Sequence, residues 1–371
     1  MVANLPQSRR VLQGSFRTKI PVYLSGKESN MKVVVSNAFQ QAAPVPRFGA
    51  LSIAVLIPCY NEATAIGTVV RDFRASLPEA DIYVYDNNST DNTAEIAAEA
   101  GAIVRREPRQ GKGHVVRRMF ADVEADIFLM VDGDDTYDAS AAPQMVARMV
   151  NEGLDLVNGV RVARSETAYR PGHKLGNRVL SGLVRSIFGR GSSDMLSGYR
   201  VFSRRFVKTF PMMSRGFEIE TELTVHSLEL DMPTAEVPGY FKDRAEGSES
   251  KLNSIRDGVR ILSTITKLLK QERPLPVFGA LAGTLAVLSI ALSLPIFAEY
   301  FATGLVPRLP TAVLSTSIML LAFLMGAVGL ILDTVTRGRQ ETKRMRYLSV
   351  PGVLSMVTKH GKEGTSAPGK G

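Results

Sequence analysis

Two apolar stretches near the end of the chain limit what it can fold into. Val277 to Ala298, VFGALAGTLAVLSIALSLPIFA, and Thr311 to Leu332, TAVLSTSIMLLAFLMGAVGLIL, carry no charged residue. At ~1.5 Å rise per residue each reaches about 33 Å as a helix, enough to cross a hydrocarbon core of roughly 30 Å. Two buried helices of a soluble core are the alternative, but such helices rarely run so long without a charge. Gly279 and Gly283 form a GxxxG pair, expected to let helices approach closely.

The flanks give an orientation. Arg256, Arg260, Lys267, Lys270 and Arg273 precede the first stretch, and Arg337, Arg339, Lys343, Arg344 and Arg346 follow the second. Between the stretches stand only Glu299 and Arg308. Positive charge stays on the cytoplasmic side. The expectation is an integral protein of the cell membrane, a hairpin with both termini and the large N-terminal region cytoplasmic. Just upstream, Leu252, Ile255, Val259, Leu262, Ile265 and Leu269 recur at helical spacing. They predict an amphipathic helix on the membrane surface, with an ordinary helix packed on the soluble region as the alternative.

Five segments are expected. Residues 1–48 form a flexible extension, without the apolar run of a secretory signal, and Met31 is a second candidate start. Residues 49–250 form the catalytic domain, 251–273 the amphipathic juxtamembrane helix, 274–333 the transmembrane hairpin, and 334–371 a basic cytoplasmic tail.

Within 51–250 strand and helix patterns alternate. Ser52–Pro58, Asp81–Asp86, IVRR near 103, Asp126–Asp132 and Asp155–Gly159 read as strands, and Thr64–Leu77 as a helix. Asn92 is a candidate helix cap, with Glu95 three residues on. Repeated strand–helix units predict an α/β fold with a parallel-dominated sheet covered on both faces, and ligands sit at the carboxyl ends of such strands. No GxGxxG follows the first strand, which argues against a dinucleotide-binding dehydrogenase.

The net charge of +9 points to an anionic partner, and much of it flanks the apolar stretches, which favours membrane lipid over nucleic acid. The single cysteine, Cys59, excludes an intramolecular disulfide, and the four histidines show no zinc-ligand spacing. Cys59, among apolar neighbours, reads as a small buried residue and not a nucleophile.

One apolar strand ends abruptly in FLMVDGDDTYD, Phe128 to Asp138. Clustered carboxylates repel, so a positive group is expected among them. Gly133 permits a turn that aims Asp132 and Asp134 at one point. Hard oxygen donors suit Mg²⁺ or Mn²⁺, and Mg²⁺ usually completes its shell with water and substrate phosphates. A metal–diphosphate is the expected ligand; an exposed acidic turn without metal is the alternative.

IPCYNEA (57–63), DNNSTDNT (86–93) and RQGKGHVVRR (109–118) join VDGDDTY at strand–helix junctions. Together they resemble the family-2 glycosyltransferases of the GT-A nucleotide-diphospho-sugar fold. Downstream, GNRVLSGLVRSIFG, DMLSGYRVFSRR and DRAEGSESKL, followed by the apolar hairpin, resemble the polyprenyl-phosphate branch. This is the dolichol-phosphate mannosyltransferase type with its bacterial undecaprenyl-phosphate relatives. The resemblance implies roles. Pro58, Tyr60 and Glu62 would line the nucleoside site, and Asp86 would bind base or ribose. Lys112 would approach the nucleotide, and Asp132 and Asp134 would hold the metal. Arg161, Arg178 and Arg200 would grip phosphates. Arg244, Ser250 and Lys251 would meet the lipid phosphate, and Glu218 and Glu220 the sugar or acceptor. Glu218, Glu220 and Glu222 are expected on one side of their segment.

The chain departs from the family pattern at Asn87, usually aspartate, and Asn88, usually glycine. It departs again at Thr136, often glutamine in dolichol-type enzymes, and at Asp138 and Ala139, often prolines. These bear on a third metal ligand and on the sugar. The partners implied are a UDP- or GDP-linked sugar, a polyprenyl phosphate and membrane lipid; a homo-oligomer remains open. A processive polysaccharide synthase would carry a Q-x-x-R-W signature, which a chain without tryptophan cannot have. Other readings are transfer to a different lipid acceptor, or a catalytically silent membrane scaffold that binds nucleotide.

Overall fold

The computed structural model describes residues 23–25, 32–34, 48, 51–163, 182, 193–242 and 254–358. The chain divides into two compact units, Met1–Val45 and Pro46–Gly371. In the first, β1 (Tyr23–Ser25) and β2 (Lys32–Val34) pair antiparallel, so the expected flexible extension contains a short two-stranded sheet.

The second unit is built on one seven-stranded sheet. Its strands are β3 (Ile53–Cys59), β4 (Asp81–Asp86), β5 (Ile103–Arg106), β6 (Ile127–Met130), β7 (Leu156–Ala163), β8 (Arg200–Ser203) and β9 (Thr234–Phe241). They lie in the order β5-β4-β3-β6-β8-β7-β9. β3 runs parallel to β4 and β6, β4 to β5, and β7 to β9. β8 alone is reversed, antiparallel to β6 and β7. The expected parallel-dominated sheet is therefore present, with one inverted strand. The inversion has a consequence: the amino end of β8 lies on the same edge as the carboxyl ends of the others.

Side chains of successive strand residues point to opposite faces. Ile53, Val55, Ile57 and Cys59 of β3 pack with Ile66, Val69, Val70 and Phe73 of α1 (Ile66–Ser76) and Met145, Val146 and Met149 of α4 (Ala142–Glu152). Ala54 and Leu56 pack on the other face with Val115, Val116, Met119 and Phe120 of α3 (Lys112–Asp122). A strand covered on both faces needs apolar residues at every position, which is why this one reads as a continuous apolar run.

Asn92 stands at the N-cap of α2 (Thr93–Glu99), but its side chain makes no cap bond. The adjacent Asp91 does this work, with Oδ1 accepting from Thr93 N at 3.1 Å and Oδ2 from Ala63 N at 3.2 Å. The expected capping box is replaced by a carboxylate that also ties α2 to the end of β3.

α5 (Arg204–Thr209) and α6 (Ile219–Glu229) complete the α/β region, and α7 (Ser254–Glu272) follows. Ile265 and Leu268 of α7 are buried against Met195 and Val225. That part of its apolar face covers the α/β region and is not free to lie on a membrane, while Leu262 stays 48% exposed.

α8 (Pro274–Thr303) and α9 (Leu309–Ser349) are long and apolar enough to cross a membrane. They are not core helices: Val287 is 68% and Phe323 72% exposed. Gly304, with φ +71°, ends α8 in the left-handed turn that glycine favours. Ser289 Oγ donates to Ser315 O at 2.7 Å, joining the two helices in their buried seam. The expected GxxxG approach is not made, because a side chain at Gly279 or Gly283 would meet nothing within 4 Å. The close contact is at Gly329, where an added Cβ would lie 3.0 Å from Phe278 Cβ. α9 continues well beyond the expected end of the hairpin at 333, into the basic segment read as a tail.

His226 of α6 packs among Phe206, Phe210 and Thr209. Burial, and then the Lys343 charge, lower its pKa to about 3. Unfolded, the imidazole takes a proton near pH 6.5. Between these values the unfolded chain binds more protons, so stability rises with pH across that window. Thermal denaturation in detergent is expected to show stability falling from pH 6.5 towards pH 3, by at most about 1.4 kcal/mol per pH unit from this group. His226→Leu is expected to flatten that dependence.

Candidate active site

The strand ends form a floor of carboxylates around one thiol. Cys59, the last residue of β3, is 3% exposed. Burial, then the charges of Glu62, Asp86, Asp132 and Asp134, push its thiol well above the ordinary range. The thiol is buried, as expected. Gly133 lies directly against it, and a Cβ there would sit 2.5 Å from Cys59 Sγ. Glycine is required here by a close approach, which brings the Asp132–Asp134 turn down onto β3.

Lys112 opens α3 and reaches across this floor. Its Nζ lies 2.5 Å from Asp132 Oδ1 and 2.6 Å from Glu220 Oε1, with 9% of the side chain exposed. Burial opposes the ammonium charge, but Asp132 and Glu220 outweigh it and raise the pKa. Burial, only partly offset by Lys112, raises the Glu220 carboxyl, whose Oε2 has no hydrogen-bond partner. The positive group expected among the aspartates is thus, in part, supplied by the chain itself.

A scaffold of backbone contacts holds Lys112. Gly111, at φ +130°, and Gly113 press on the 213–216 segment. Added Cβ atoms would lie 2.3 Å from Arg215 O and 2.4 Å from Ser214 O. Gly113 N donates to Arg215 O at 3.1 Å. Glu222 accepts from Met213 N and Ser214 N at 2.8 Å each, and Glu218 Oε1 from Arg215 N and Gly216 N at 3.2 and 3.1 Å. The three glutamates do not share a side as expected. The segment is helical, so Glu218 and Glu222, four residues apart, face one way and Glu220 faces Lys112. Glu218 closes a turn, and only Glu220 enters the site.

Asn87 fixes the other end of this loop. Its Nδ2 donates to Glu107 O at 2.9 Å and Arg109 O at 2.8 Å, and its Oδ1 accepts from Gly111 N at 2.8 Å. An amide is needed because a carboxylate has no donor for the two carbonyls. Asn88 has φ +64°, a conformation asparagine tolerates far better than most residues. Both departures from the family pattern therefore have a local cause.

Thr136 Oγ1 donates to Asp134 Oδ1 at 2.6 Å, and its backbone N to the same oxygen at 3.3 Å. The hydroxyl thus orients a carboxylate. Tyr137 Oη accepts from Gly198 N at 2.9 Å, and a Cβ at Gly198 would lie 2.2 Å from Asp132 Oδ2. Gly198 is a site residue that sequence reasoning did not single out; its signal was a glycine inside DMLSGYR. Asp194 was also missed. It takes the Arg161 fork, with Nε to Oδ2 and Nη2 to Oδ1 both at 2.7 Å.

Arg200 corrects an expectation. It is fully buried. It donates to Ser197 O at 2.9 Å, Met195 O at 2.5 Å and Thr224 Oγ1 at 3.0 Å. Buried at the start of β8, the guanidinium ties the 195–197 segment to α6 and does not face a phosphate. Tyr60 is 37% exposed, Pro58 part-buried and Glu62 buried at the end of β3. Asp86 ends β4 and accepts from Ser89 N at 3.2 Å. Arg178, Arg244, Ser250 and Lys251 lie outside the described residues. A cavity of about 330 Å³ opens between the 213–222 segment and α7, with Arg215, Glu218, Lys267 and Gln271 in its lining.

Among the described residues no group of three or more His, Cys, Asp or Glu side chains could enclose a metal ion. Asp132 and Asp134, flanking a glycine at a strand end, offer oxygen donors only. That set fits a hard divalent cation which takes its other ligands from water and phosphate.

Asn87→Asp preserves size while removing both donors. The expected loss is about 1–3 kcal/mol of stability, for two buried carbonyls left without a partner. Denaturation of the purified variant against wild type measures it.

Residues 54–210 match the signature of glycosyl transferase family 2. Protein RfbJ of Shigella flexneri is 56% identical over 128 residues, which is 34% of this chain and 99% of that protein. Glycosyltransferase AglJ of Haloferax volcanii is 33% identical over 304 residues, 80% of this chain and 98% of its own length. The dolichyl-phosphate hexose transferase of the same organism is 28% identical over 222 residues, 60% of this chain and 95% of that one. The mixed GT-A-like sheet, its acidic edge and these matches agree: the chain belongs to glycosyl transferase family 2.

Proposed function

We propose that the protein transfers a sugar from a nucleotide-diphospho-sugar to a polyprenyl phosphate at the cytoplasmic face of a membrane, with inversion at the anomeric carbon. One observation carries this reading. The Asp132–Lys112–Glu220 cluster is built into the same unit as α7 and two helices able to cross a membrane. The relative named a dolichyl-phosphate hexose transferase supports the acceptor class. The basic flanks support the cytoplasmic placement of the catalytic region and both termini.

The chemistry asks little of a general base. A phosphomonoester has its second pKa at about 6, so the acceptor is already an anion at neutral pH. Its oxygen forms the bond to the anomeric carbon as the bond to the diphosphate breaks, and the nucleoside diphosphate leaves. Stabilising that leaving group is the harder task. A divalent cation, Mg²⁺ or Mn²⁺, held by Asp132 and Asp134 would supply Lewis-acid stabilisation there. Lys112 places a fixed positive charge beside Asp132, already desolvated before reaction. Asp86, Pro58, Tyr60 and Glu62 are proposed to hold the nucleoside. Arg161 and Arg178 would meet the donor phosphates, and Arg244, Ser250 and Lys251 the lipid phosphate. Arg215, and Lys267 of α7 itself, line the cavity between the 213–222 segment and that helix and add positive charge there.

The test uses detergent-purified protein with undecaprenyl phosphate, Mg²⁺ or Mn²⁺ and a panel of UDP- and GDP-sugars, scored by mass spectrometry. A single lipid-phosphate hexose is expected, lost on chelation. Asp134→Ala is expected to cut its rate on the order of 10²-fold or more with the fold retained. Full activity in that variant overturns the metal assignment, and no product from any donor favours a different acceptor or a nucleotide-binding scaffold. Gly198→Ala is expected to lower the rate about tenfold or more by displacing Asp132 from its working position. The same assay, read alongside thermal stability, checks this.

A further inference from the structure

The basic segment after the second apolar helix is part of the catalytic domain's architecture. α9 runs unbroken from Leu309 to Ser349, while its apolar stretch stops at Leu332. The remaining turns extend about 25 Å beyond it at ~1.5 Å per residue. Thr336, Arg339, Gln340, Lys343 and Tyr347 follow helical spacing and occupy one face.

That face is clamped at successive levels. Thr336 Oγ1 and Arg339 Nη2 each donate to Gln271 O at 3.0 Å, and Arg339 also pairs with Glu272 at 2.5 Å. Lys343 Nζ lies 2.7 and 2.6 Å from the two oxygens of Glu229 and 3.9 Å from Glu272 Oε1. One ammonium therefore joins three elements: α9, α7, and α6, the helix whose first turn carries Glu220. Tyr347 Oη donates to Asp155 Oδ2 at 2.6 Å. Asp155 is fully buried and also takes Arg205 Nε and Nη2, both at 2.7 Å, and Ser203 Oγ at 2.6 Å. The Arg205 guanidinium lies 4.4 Å from the Tyr347 ring centre. Beyond the helix, Val353 and Met356 are buried in the main core, and Leu354 packs on Gly153.

We propose that this extension is a positioning strut. Lys343 and Tyr347 hold the catalytic domain at one height and tilt above the bilayer, so that its edge meets a phosphate carried by a membrane lipid. The proposal rests on the lipid-acceptor reading for its function, and on the clamp alone for its geometry. Buried charged contacts are weak sources of stability compared with apolar packing; one established use is to fix a single register between elements. A displacement of about 1 Å can cost on the order of 10²-fold in rate, so a substrate anchored at a fixed depth makes such fixing valuable. Lys343 and Tyr347 touch no reacting group and act through Glu229, Glu272 and Asp155.

The test compares wild type, Lys343→Met, Tyr347→Phe, the double variant and Lys343→Arg in nanodiscs. Two acceptors are used, undecaprenyl phosphate in the bilayer and a short water-soluble prenyl phosphate. With the first, the double variant is expected to lose about tenfold or more in kcat/KM. With the second, it is expected to stay within about twofold, since the catalytic floor is untouched. Lys343→Arg, which can still pair both carboxylates, is expected to recover most of the loss. Equal losses on both acceptors, or no loss on either, overturn the strut. A second measurement needs no acceptor. Glu99→Cys, on the exposed face of α2, carries a fluorescent donor, and headgroup-labelled lipid carries the acceptor dye. Wild type is expected to give one narrow distance distribution and the double variant a broad one. An unchanged distribution overturns the strut. If wild type glycosylates neither acceptor while the double variant still broadens the distribution, the strut is retained and the lipid-acceptor reading is rejected.

Discussion

Lys112, buried between Asp132 and Glu220, is the contact on which the rest of the site depends. An ammonium in such a place is costly unless both carboxylates remain with it. The chain therefore has to deliver three side chains from three elements to one point. β6 brings Asp132 through the Gly133 turn, and Gly198 leaves room for its carboxylate. α6 brings Glu220, held by Arg200 through Thr224. The loop before α3 brings Lys112, held by Asn87 on one side and by Ser214 and Arg215 on the other. Most of the polar residues around the site support this arrangement, including Arg200 and Glu218, first read as ligand contacts.

The parts legible in the sequence were those in which local pattern and burial agree. β3 and β6 are covered on both faces, so their uninterrupted apolar runs announced them, and the aspartates at the end of β6 marked the acidic edge of the sheet. The apolar helices declared themselves by length and lack of charge. Cys59, flanked by apolar residues, was recognisable as a buried thiol. The inverted strand β8 was not legible, because four buried residues with no flanking signal can join a sheet in either direction.

Other features were hidden because they depend on partners distant in the chain. Arg200 resembles a phosphate-binding arginine until its acceptors, Met195, Ser197 and Thr224, are seen to enclose it. Glu218 resembles a sugar contact until it is found on the backbone amides of Arg215 and Gly216. The GxxxG pair misleads for a related reason: small residues permit close packing, but only the helix facing them decides whether it occurs. The arginines and lysines after Leu332 serve two purposes at once. They read as a topology signal, and several of them also bind the catalytic domain.

Asp155 has a consequence for the order in which the protein is made. Its carboxylate is fully buried, and Tyr347, one of its donors, lies 192 residues further along the chain. Arg205 and Ser203 emerge from the ribosome soon after it, but both apolar helices must be synthesised before the phenol exists. Domains generally fold as units while translation proceeds, from the N-terminal side first. During that interval the nascent catalytic region carries a carboxylate awaiting its last donor and a core lacking Val353 and Met356. Completion of the α/β fold is thereby timed to follow emergence of the two long apolar helices.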